Sequence, residues 1–330
     1  MTNWLKKSKM QIIAGAMAVV GLLSGCATGN NTGKEEQDVE YQIGVVQFIE
    51  HESLTAARLG FEERMNELGI RCTLDIQNAQ GDQSTLKTIS QRFVNNNVDL
   101  VLAIATPAVQ SISNETSTIP ILGTAVTDYE AAKLIASNEK PGGNVTGTSD
   151  LSPIKEQLEL IPILKADAKK VGLLYTSSEE NSNVQIQDAK AVLDEMGMAY
   201  QDYPVTAIGD IQQTMQAMVE DVDVIYIPTD NLVASAMPVV SDVAVANQVP
   251  VIAGAAKMVL DGGTATYGLN YHSLGRQTAD MAQKILKEGK KPADMPVERL
   301  EKFDFIYNEN NVEKLGIEIP QELVHDAITE

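Results

Sequence analysis

Two short stretches of this chain share one form, and that form limits the folds open to it. Val98-Asp99-Leu100-Val101-Leu102-Ala103-Ile104-Ala105-Thr106-Pro107 opens on Val-Asp, runs apolar and stops at a hydroxyl before a helix-like run. Val222-Asp223-Val224-Ile225-Tyr226-Ile227-Pro228-Thr229-Asp230-Asn231 does the same and adds a carboxylate and an amide. A short run that is apolar on both faces is a strand covered by helices on both sides of a parallel sheet. Two such strands far apart in the chain predict two similar lobes.

The flanking sequence repeats this alternation. Strand signals at Tyr41 to Phe48, Cys72 to Ile76, Leu100 to Ala105, Pro120 to Val126 and Asn144 to Ser149 are separated by helical spacing. The periodicity predicts helices over Leu54 to Leu68, Asp82 to Asn95 and Ala108 to Glu115, and one opening at Asp128 or Tyr129. A second run follows, with helices over Pro153 to Leu164, Asn183 to Met196, Ile211 to Val219, Leu232 to Ala246 and Leu274 to Leu286. Its strands are Lys170 to Tyr175, Met198 to Val205, the 222–231 stretch, Val249 to Gly254, Thr264 to Leu269 and a last short one at Phe303 to Tyr307. The fold class is therefore α/β, with two doubly wound parallel-sheet lobes. Right-handed crossovers place every turn that follows a strand on one edge, where open α/β sheets bind ligands.

Those turns carry hydroxyls, amides and carboxylates: Gln47, Glu50 and His51, then Thr106, Thr127, Ser149, Asp150, Ser178, Asn181, Thr229, Asp230, Asn231 and Asn270. Helix N-termini there favour an anion such as a carboxylate, and Asp230 suits an ammonium, so the edge predicts a binder of zwitterions. Each residue taken singly also reads as an ordinary helix cap. No Gly-x-Ser-x-Gly elbow, phosphate loop or Gly-x-Gly-x-x-Gly turn is present. Glu50 beside His51 forms an acid/base pair without an evident nucleophile, which leaves a surface hydrolase as the minor alternative. No catalytic residue, cofactor or metal site is expected. The three histidines are scattered, and the two cysteines, Cys26 and Cys72, allow no cysteine/histidine cluster. Cys72 reads as a buried, inert thiol.

The formal net charge is -20. It argues against nucleic acid and anionic lipid as partners of the folded part, since both need basic patches. The start of the chain is basic (Lys6, Lys7, Lys9), then apolar to Leu23, then Leu23-Ser24-Gly25-Cys26. Residues 1–25 read as an export signal of lipoprotein type, Cys26 as the lipidated residue and 26–40 as a polar flexible tether. The mature chain is then extracytoplasmic and membrane-anchored.

Taken together, Gly44-Val45-Val46-Gln47-Phe48-Ile49-Glu50-His51, Leu102 to Ala108, Gly143 to Asp150, Tyr226 to Asn231 and Gly275-Arg276-Gln277 resemble the substrate-binding lipoproteins of ABC importers, specifically the tryptophan/tyrosine group. The resemblance implies a type I periplasmic-binding-protein fold, with two lobes joined by three crossovers. Lobe 1 is then 41–148 plus 269–296 and lobe 2 is 149–268 plus 297–330. It implies a monomer that hands a small ligand, an aromatic amino acid (tryptophan, tyrosine or phenylalanine), from the interlobe cleft to a membrane permease. A ligand-sensing subunit of the same fold, or a binder of another small polar or zwitterionic ligand, remains the alternative. The expected ligand contacts are Gln47, Phe48, Glu50, Thr106 and Thr127 on one side. On the other they are Ser149, Asp150, Tyr175, Ser178, Asn181, Thr229, Asp230, Asn231, Gly254 and Asn270. Asp230 is to take the amine, and Tyr175 or Phe48 to line the aromatic pocket. Two runs depart from the group's pattern. Gly268-Leu269-Asn270-Tyr271 has an amide where the group often has a carboxylate, and Ala255-Ala256-Lys257 lacks acids.

Overall fold

The computed structural model describes residues 40–324. The expected export signal, Cys26, nearly all of the expected tether and His325 lie outside the described residues. In chain order the first run is β1 (Tyr41–Gln47), α1 (Glu52–Glu67), β2 (Cys72–Asn78), α2 (Gln83–Asn95), β3 (Leu100–Ile104), α3 (Thr106–Glu115), β4 (Ile121–Val126) and β5 (Val145–Ser149). The second begins with α4 (Ile154–Leu158), α5 (Ile161–Leu164), β6 (Lys170–Thr176), α6 (Glu180–Met196), β7 (Ala199–Val205), α7 (Ile208–Met218) and β8 (Val224–Ile227). It continues with α8 (Asn231–Ala234), α9 (Met237–Ala246), β9 (Val251–Ala253), α10 (Ala256–Leu260) and β10 (Ala265–Gly268). The tail holds α11 (Tyr271–Leu286), a 3₁₀ turn at Pro292–Asp294, β11 (Glu298–Arg299), β12 (Asp304–Tyr307), α12 (Glu309–Leu315) and α13 (Gln321–Val324).

The strands form two six-stranded sheets. One runs β2-β1-β3-β4-β5-β11 and the other β7-β6-β8-β9-β10-β12. Both therefore show the 2-1-3-4-5 order of doubly wound sheets. All pairings are parallel except β10 with β12. The twin stretches of the sequence are β3 and β8, third in each order. Their shared Val-Asp has one structural job. Asp99 accepts from the backbone N–H of Gln42 at 2.7 Å, and Asp223 from those of Lys169 and Lys170 at 2.7 and 2.9 Å. Each aspartate pins the start of the neighbouring first strand of its sheet.

The chain crosses between the sheets three times: after β5 at Asp150, after β10 at Leu269 and Asn270, and after β11. The last crossing lies beyond residue 296, the expected end of lobe 1, because Glu298 and Arg299 pair with Thr148 and Ser149 as an edge strand of the first sheet. Ser149 is likewise the last residue of β5 and belongs to the first sheet.

Helix α11 returns to the first sheet and crosses α1 with the backbones nearly touching. A Cβ on Gly275 would stand 1.8 Å from the Ala57 carbonyl oxygen, and one on Gly60 2.0 Å from that of His272. Arg64 bridges the pair by donating to Asp280 at 2.8 Å, and Arg276 reaches Glu67 at 2.6 Å.

Three expected helices differ. Pro162 and Pro238 each sit at the start of a new helix, so the runs 153–164 and 232–246 are both split. No helix opens at Asp128. Its carboxylate instead accepts from the N–H groups of Glu130 and Ala131 in a turn. Tyr129 drives its ring into the core, donating to the Thr148 carbonyl at 3.1 Å over the bare backbones of Gly123 and Gly147. Cys72 is half-buried rather than buried, and burial still raises its thiol pKa. Among the described residues no helix is long and apolar enough to cross a membrane, and no cluster of His, Cys, Asp and Glu could hold a metal ion.

Candidate functional site

The turns after the strands of both sheets face each other across one cleft. From the first sheet come His51, Ser53 and Leu54 after β1, and Ala125 and Thr127 at the end of β4. From the second come Asn181 after β6, Thr229, Asp230, Asn231 and Ala234 after β8, and Ala255 and Met258 after β9. Asp150 and Tyr271 enter from the first two crossovers. The lobes are shut on one another. Thr127 Oγ1 lies 3.2 Å from Thr229 Oγ1, and the His51 imidazole donates to Asn231 Oδ1 at 3.3 Å. The space left inside is about 10 Å³, on the order of one water molecule.

The electrostatics are one-sided. Asp150, Glu179 and Asp230 are buried at or beneath the cleft wall, and none of the lining residues is Lys or Arg. Burial is the largest cause raising all three carboxyl pKa values. For Glu179 the adjacent Asp230 charge adds to burial, and its pKa rises to about 8. The His51 imidazole is pulled down to about 4, chiefly by desolvation, and stays neutral near pH 7.

A carboxyl with a folded pKa above its unfolded value binds its proton more tightly when folded. Its contribution to stability is complete below 4.5 and is lost as pH rises through about 8. His51 works in the opposite direction, losing stability as pH falls below 6.5. Between about pH 6.5 and 8 Glu179 acts without opposition from His51. Denaturant unfolding there is expected to show stability falling with pH, and Glu179→Gln to flatten the fall. An unchanged slope in that variant assigns the titration to another group.

The three acids differ in how far the protein satisfies them. Asp230 caps α8 through Val233 N–H at 2.9 Å. It also accepts from Thr176 N–H at 2.6 Å, Thr176 Oγ1 at 2.8 Å and Ser182 Oγ at 2.7 Å. Glu179 accepts from Leu232 N–H at 3.0 Å, Asn231 N–H at 3.2 Å, Asn181 Nδ2 at 3.1 Å and the Asn231 amide. Asp150 has two side-chain donors, Tyr271 OH at 2.7 Å and Thr127 Oγ1 at 3.2 Å. Two other buried polar atoms of the lining have no partner: Ser53 Oγ and Asn181 Oδ1. Ser53 lies in the first turn of α1, whose N-cap His51 makes no capping bond.

The expected contacts divide accordingly. Thr127, Asp150, Asn181, Thr229, Asp230 and Asn231 line the cleft. The others lie outside its lining. Gln47 spends its amide on the Ile49 carbonyl at 3.0 Å, and Glu50 accepts from Thr55 at 2.9 Å and Asn78 at 2.7 Å. Glu50 is thus held by Thr55 of α1 and Asn78 of β2, and His51 by Asn231, so they are not a hydrogen-bonded acid/base pair. Phe48 is core, and Tyr175 packs over the second hydrophobic cluster, so neither forms an aromatic wall. Ser178 is exposed. Ser149 ties the hinge turn, donating to the Thr127 carbonyl at 2.7 Å.

Gly254 lies where a Cβ would strike Thr229 N at 2.3 Å, so it is a packing glycine. Asn270 caps α11 through Ser273 N–H at 2.9 Å and lines a separate space of about 250 Å³ behind Tyr271. Thr106 is buried with an unpartnered hydroxyl after Ala105, whose φ of 84° is rare without glycine. Sequence reasoning missed Ser53, Tyr271 and the apolar lining Leu54, Ala125, Ala234, Ala255 and Met258. Apolar residues at helix starts look the same in a sequence whether they face core or cleft. Tyr271, directly after the turn at Asn270, was the one findable from position.

Two lobes closing on a polar cleft at the carboxyl edges of both sheets define a two-lobed ligand-binding protein. The chain belongs to the ABC transporter substrate-binding protein family, whose family model matches residues 42–330. It has the type I periplasmic-binding-protein fold. A tyrosine-binding protein of Clostridioides difficile (strain R20291) is 38% identical over 323 residues, 95% of this chain and 93% of that one. The crystal structure of an ABC domain in complex with L-Trp from Streptococcus pneumoniae is 36% identical, covers 88% of this chain and 100% of its own, and superposes with a TM-score of 0.85. A ligand-free, open substrate-binding protein with adhesive properties from Clostridium difficile is 40% identical, covering 88% of this chain and 99% of its own, yet superposes at only 0.67. The more identical chain fits less well, as a difference in lobe opening predicts. The contacts across the cleft agree with a shut arrangement here.

Proposed function

We propose that this chain is the extracytoplasmic binding component of an ABC importer, anchored by lipid on Cys26 and selecting an aromatic amino acid in the interlobe cleft. The observation that carries it is a closed cleft walled by buried carboxylates with no Lys or Arg, a place for a cationic group. The unpartnered Ser53 hydroxyl at the uncapped start of α1 supports a seat for the ligand's carboxylate. Leu54, Met258 and three alanines supply the apolar wall, and methionine sulfur packs well on aromatic rings. The tyrosine-binding and L-Trp-bound relatives narrow the ligand class. The lobes divide at the crossovers near Asp150, Leu269–Asn270 and the segment after Arg299. An amino acid does not fit in the space now enclosed, so uptake opens the lobes at these hinges and binding closes them. The protein acts as a monomer that presents ligand to a membrane permease, and binding involves no covalent step.

The only tryptophan of the chain is Trp4, in the leader. The mature chain beginning at Cys26 therefore has no tryptophan, and exciting indole selectively over the nine tyrosines leaves no tryptophan background. Titrated with it, L-tryptophan is expected to shift its own fluorescence at micromolar concentration, and calorimetry to rank tyrosine and phenylalanine beside it. If all three fail to bind at micromolar concentration, the aromatic reading is wrong and the family assignment still stands.

A further inference from the structure

We propose that the Asp150 carboxylate, held by Tyr271 between two crossovers, is the seat of the ligand's ammonium group, so that recognising the amine and closing the hinge are one event. This rests on the reading that the ligand is an amino acid. The count of acceptor sites carries it. An ionised carboxylate offers about four lone-pair positions. The four donors on Asp230, two on each oxygen, use all of them. Glu179 takes three N–H donors on Oε2 and one on Oε1, and it does not line the cleft. Asp150 lines the cleft and receives only one donor from another residue on each oxygen, Thr127 on Oδ1 and Tyr271 on Oδ2, half the number that Asp230 collects.

A second, independent observation points to the same place. Asn181 is 4% exposed and lines the same small space. Its Nδ2 is turned to Glu179, Ser182 and the Thr229 carbonyl, while its Oδ1 has no partner. An ammonium brings three N–H donors. The two Asp150 oxygens and Asn181 Oδ1 are three acceptors, from the hinge and from the second lobe. Nothing else in the lining supplies positive charge, since His51 is neutral and no Lys or Arg is present.

The position of Asp150 gives the contact its mechanical consequence. Asp150 is the first residue past β5, and Tyr271 the first of α11 after the second crossover. Their 2.7 Å hydrogen bond joins the two connections that bend when the lobes part. An ammonium held at Asp150 and Asn181 bridges hinge and second lobe, and it is released only when that geometry is broken. Tyr271 is then a positioning residue.

The test compares L-tryptophan with 3-(indol-3-yl)propanoate, which lacks the amine, by calorimetry on the mature chain and on Asp150→Asn, Asp230→Asn and Tyr271→Phe. Asparagine at 150 can still accept from Tyr271, so that variant keeps its fold, with denaturant unfolding as the check. The wild type is expected to prefer the amino acid by a hundredfold or more, roughly. Asp150→Asn should cut that ratio about thirtyfold or more, and Tyr271→Phe by a smaller factor. Asp230→Asn should unfold more easily yet hold the ratio within about threefold. A ratio retained by Asp150→Asn and lost by Asp230→Asn overturns the proposal and returns the amine to Asp230. A ratio moved by neither places the amine away from both acids and also overturns it. If neither aromatic compound binds the wild type, the aromatic reading falls. The same ratio is then taken with whichever of the twenty amino acids binds and its deaminated counterpart, with the same outcomes deciding.

Discussion

Asp230→Ala is expected to destabilise the folded chain by about 3–5 kcal/mol, in denaturant unfolding near pH 7. The carboxylate is 1% exposed and collects Thr176 N–H, Thr176 Oγ1, Ser182 Oγ and Val233 N–H. Alanine strands all four donors away from water. Loss of the α8 cap alone costs about 1 kcal/mol, and each buried donor left unsatisfied about 1–3 kcal/mol. Two effects offset part of the total. The hydroxyls of Thr176 and Ser182 can rotate to other acceptors, and removing the charge relieves Glu179 beside it. Taken from sequence alone, Asp230 at a strand end reads as the residue that grips the ligand's amine. A variant that unfolds as the wild type does and loses only affinity would restore that reading.

Gly275→Ala is expected to cost about 3 kcal/mol, at the upper end of what an inserted methyl costs in a packed interior. The new Cβ would stand 1.8 Å from the Ala57 carbonyl oxygen. The obstacle is backbone, so no rotamer change relieves it, and α11 must move off α1 by more than an ångström. Gly60→Ala meets the His272 carbonyl at 2.0 Å and should behave alike. Both glycines serve one crossing, so the double variant should cost less than the sum of the two singles, since a helix displaced once already clears the second methyl. Additive losses would show that the two positions yield independently. Because the N-cap and first turn of α1 place His51, Ser53 and Leu54 in the cleft, the same displacement should also weaken ligand binding.

The two lobes were legible in the sequence because buried parallel strands must be apolar on both faces and the helices between them amphipathic. That pattern survives translation into one dimension, and β3 and β8 fell on the twin stretches. The helix breaks at Pro162 and Pro238 were also written there, as prolines inside apparently continuous runs. The turn at Asp128 was not. Tyr129 leaves the helical path because a pocket over Gly123 and Gly147 receives its ring, and that pocket exists only once β4 and β5 are paired. The edge strand at Glu298 and Arg299 is two residues long and has no periodicity to detect.

The site shows the same division. By itself the sequence determined which residue types gather at the carboxyl edges: Thr127, Asp150, Asn181, Thr229, Asp230 and Asn231 all stand in the turns after strands or in the helix starts that follow them, and all line the cleft. That follows from chain direction, since every right-handed crossover returns its turn to the same edge. Only the tertiary structure decided what each does. A carboxylate is a cap or a ligand seat according to how many donors surround it, and those donors come from segments far away in the chain. Thr176 and Ser182 fill Asp230 from 54 and 48 residues off, while Asp150 is reached by Tyr271 across 121 and by Thr127, with fewer donors around it. Hydrogen-bond saturation is a property of the assembled site, and no local stretch of sequence encodes it.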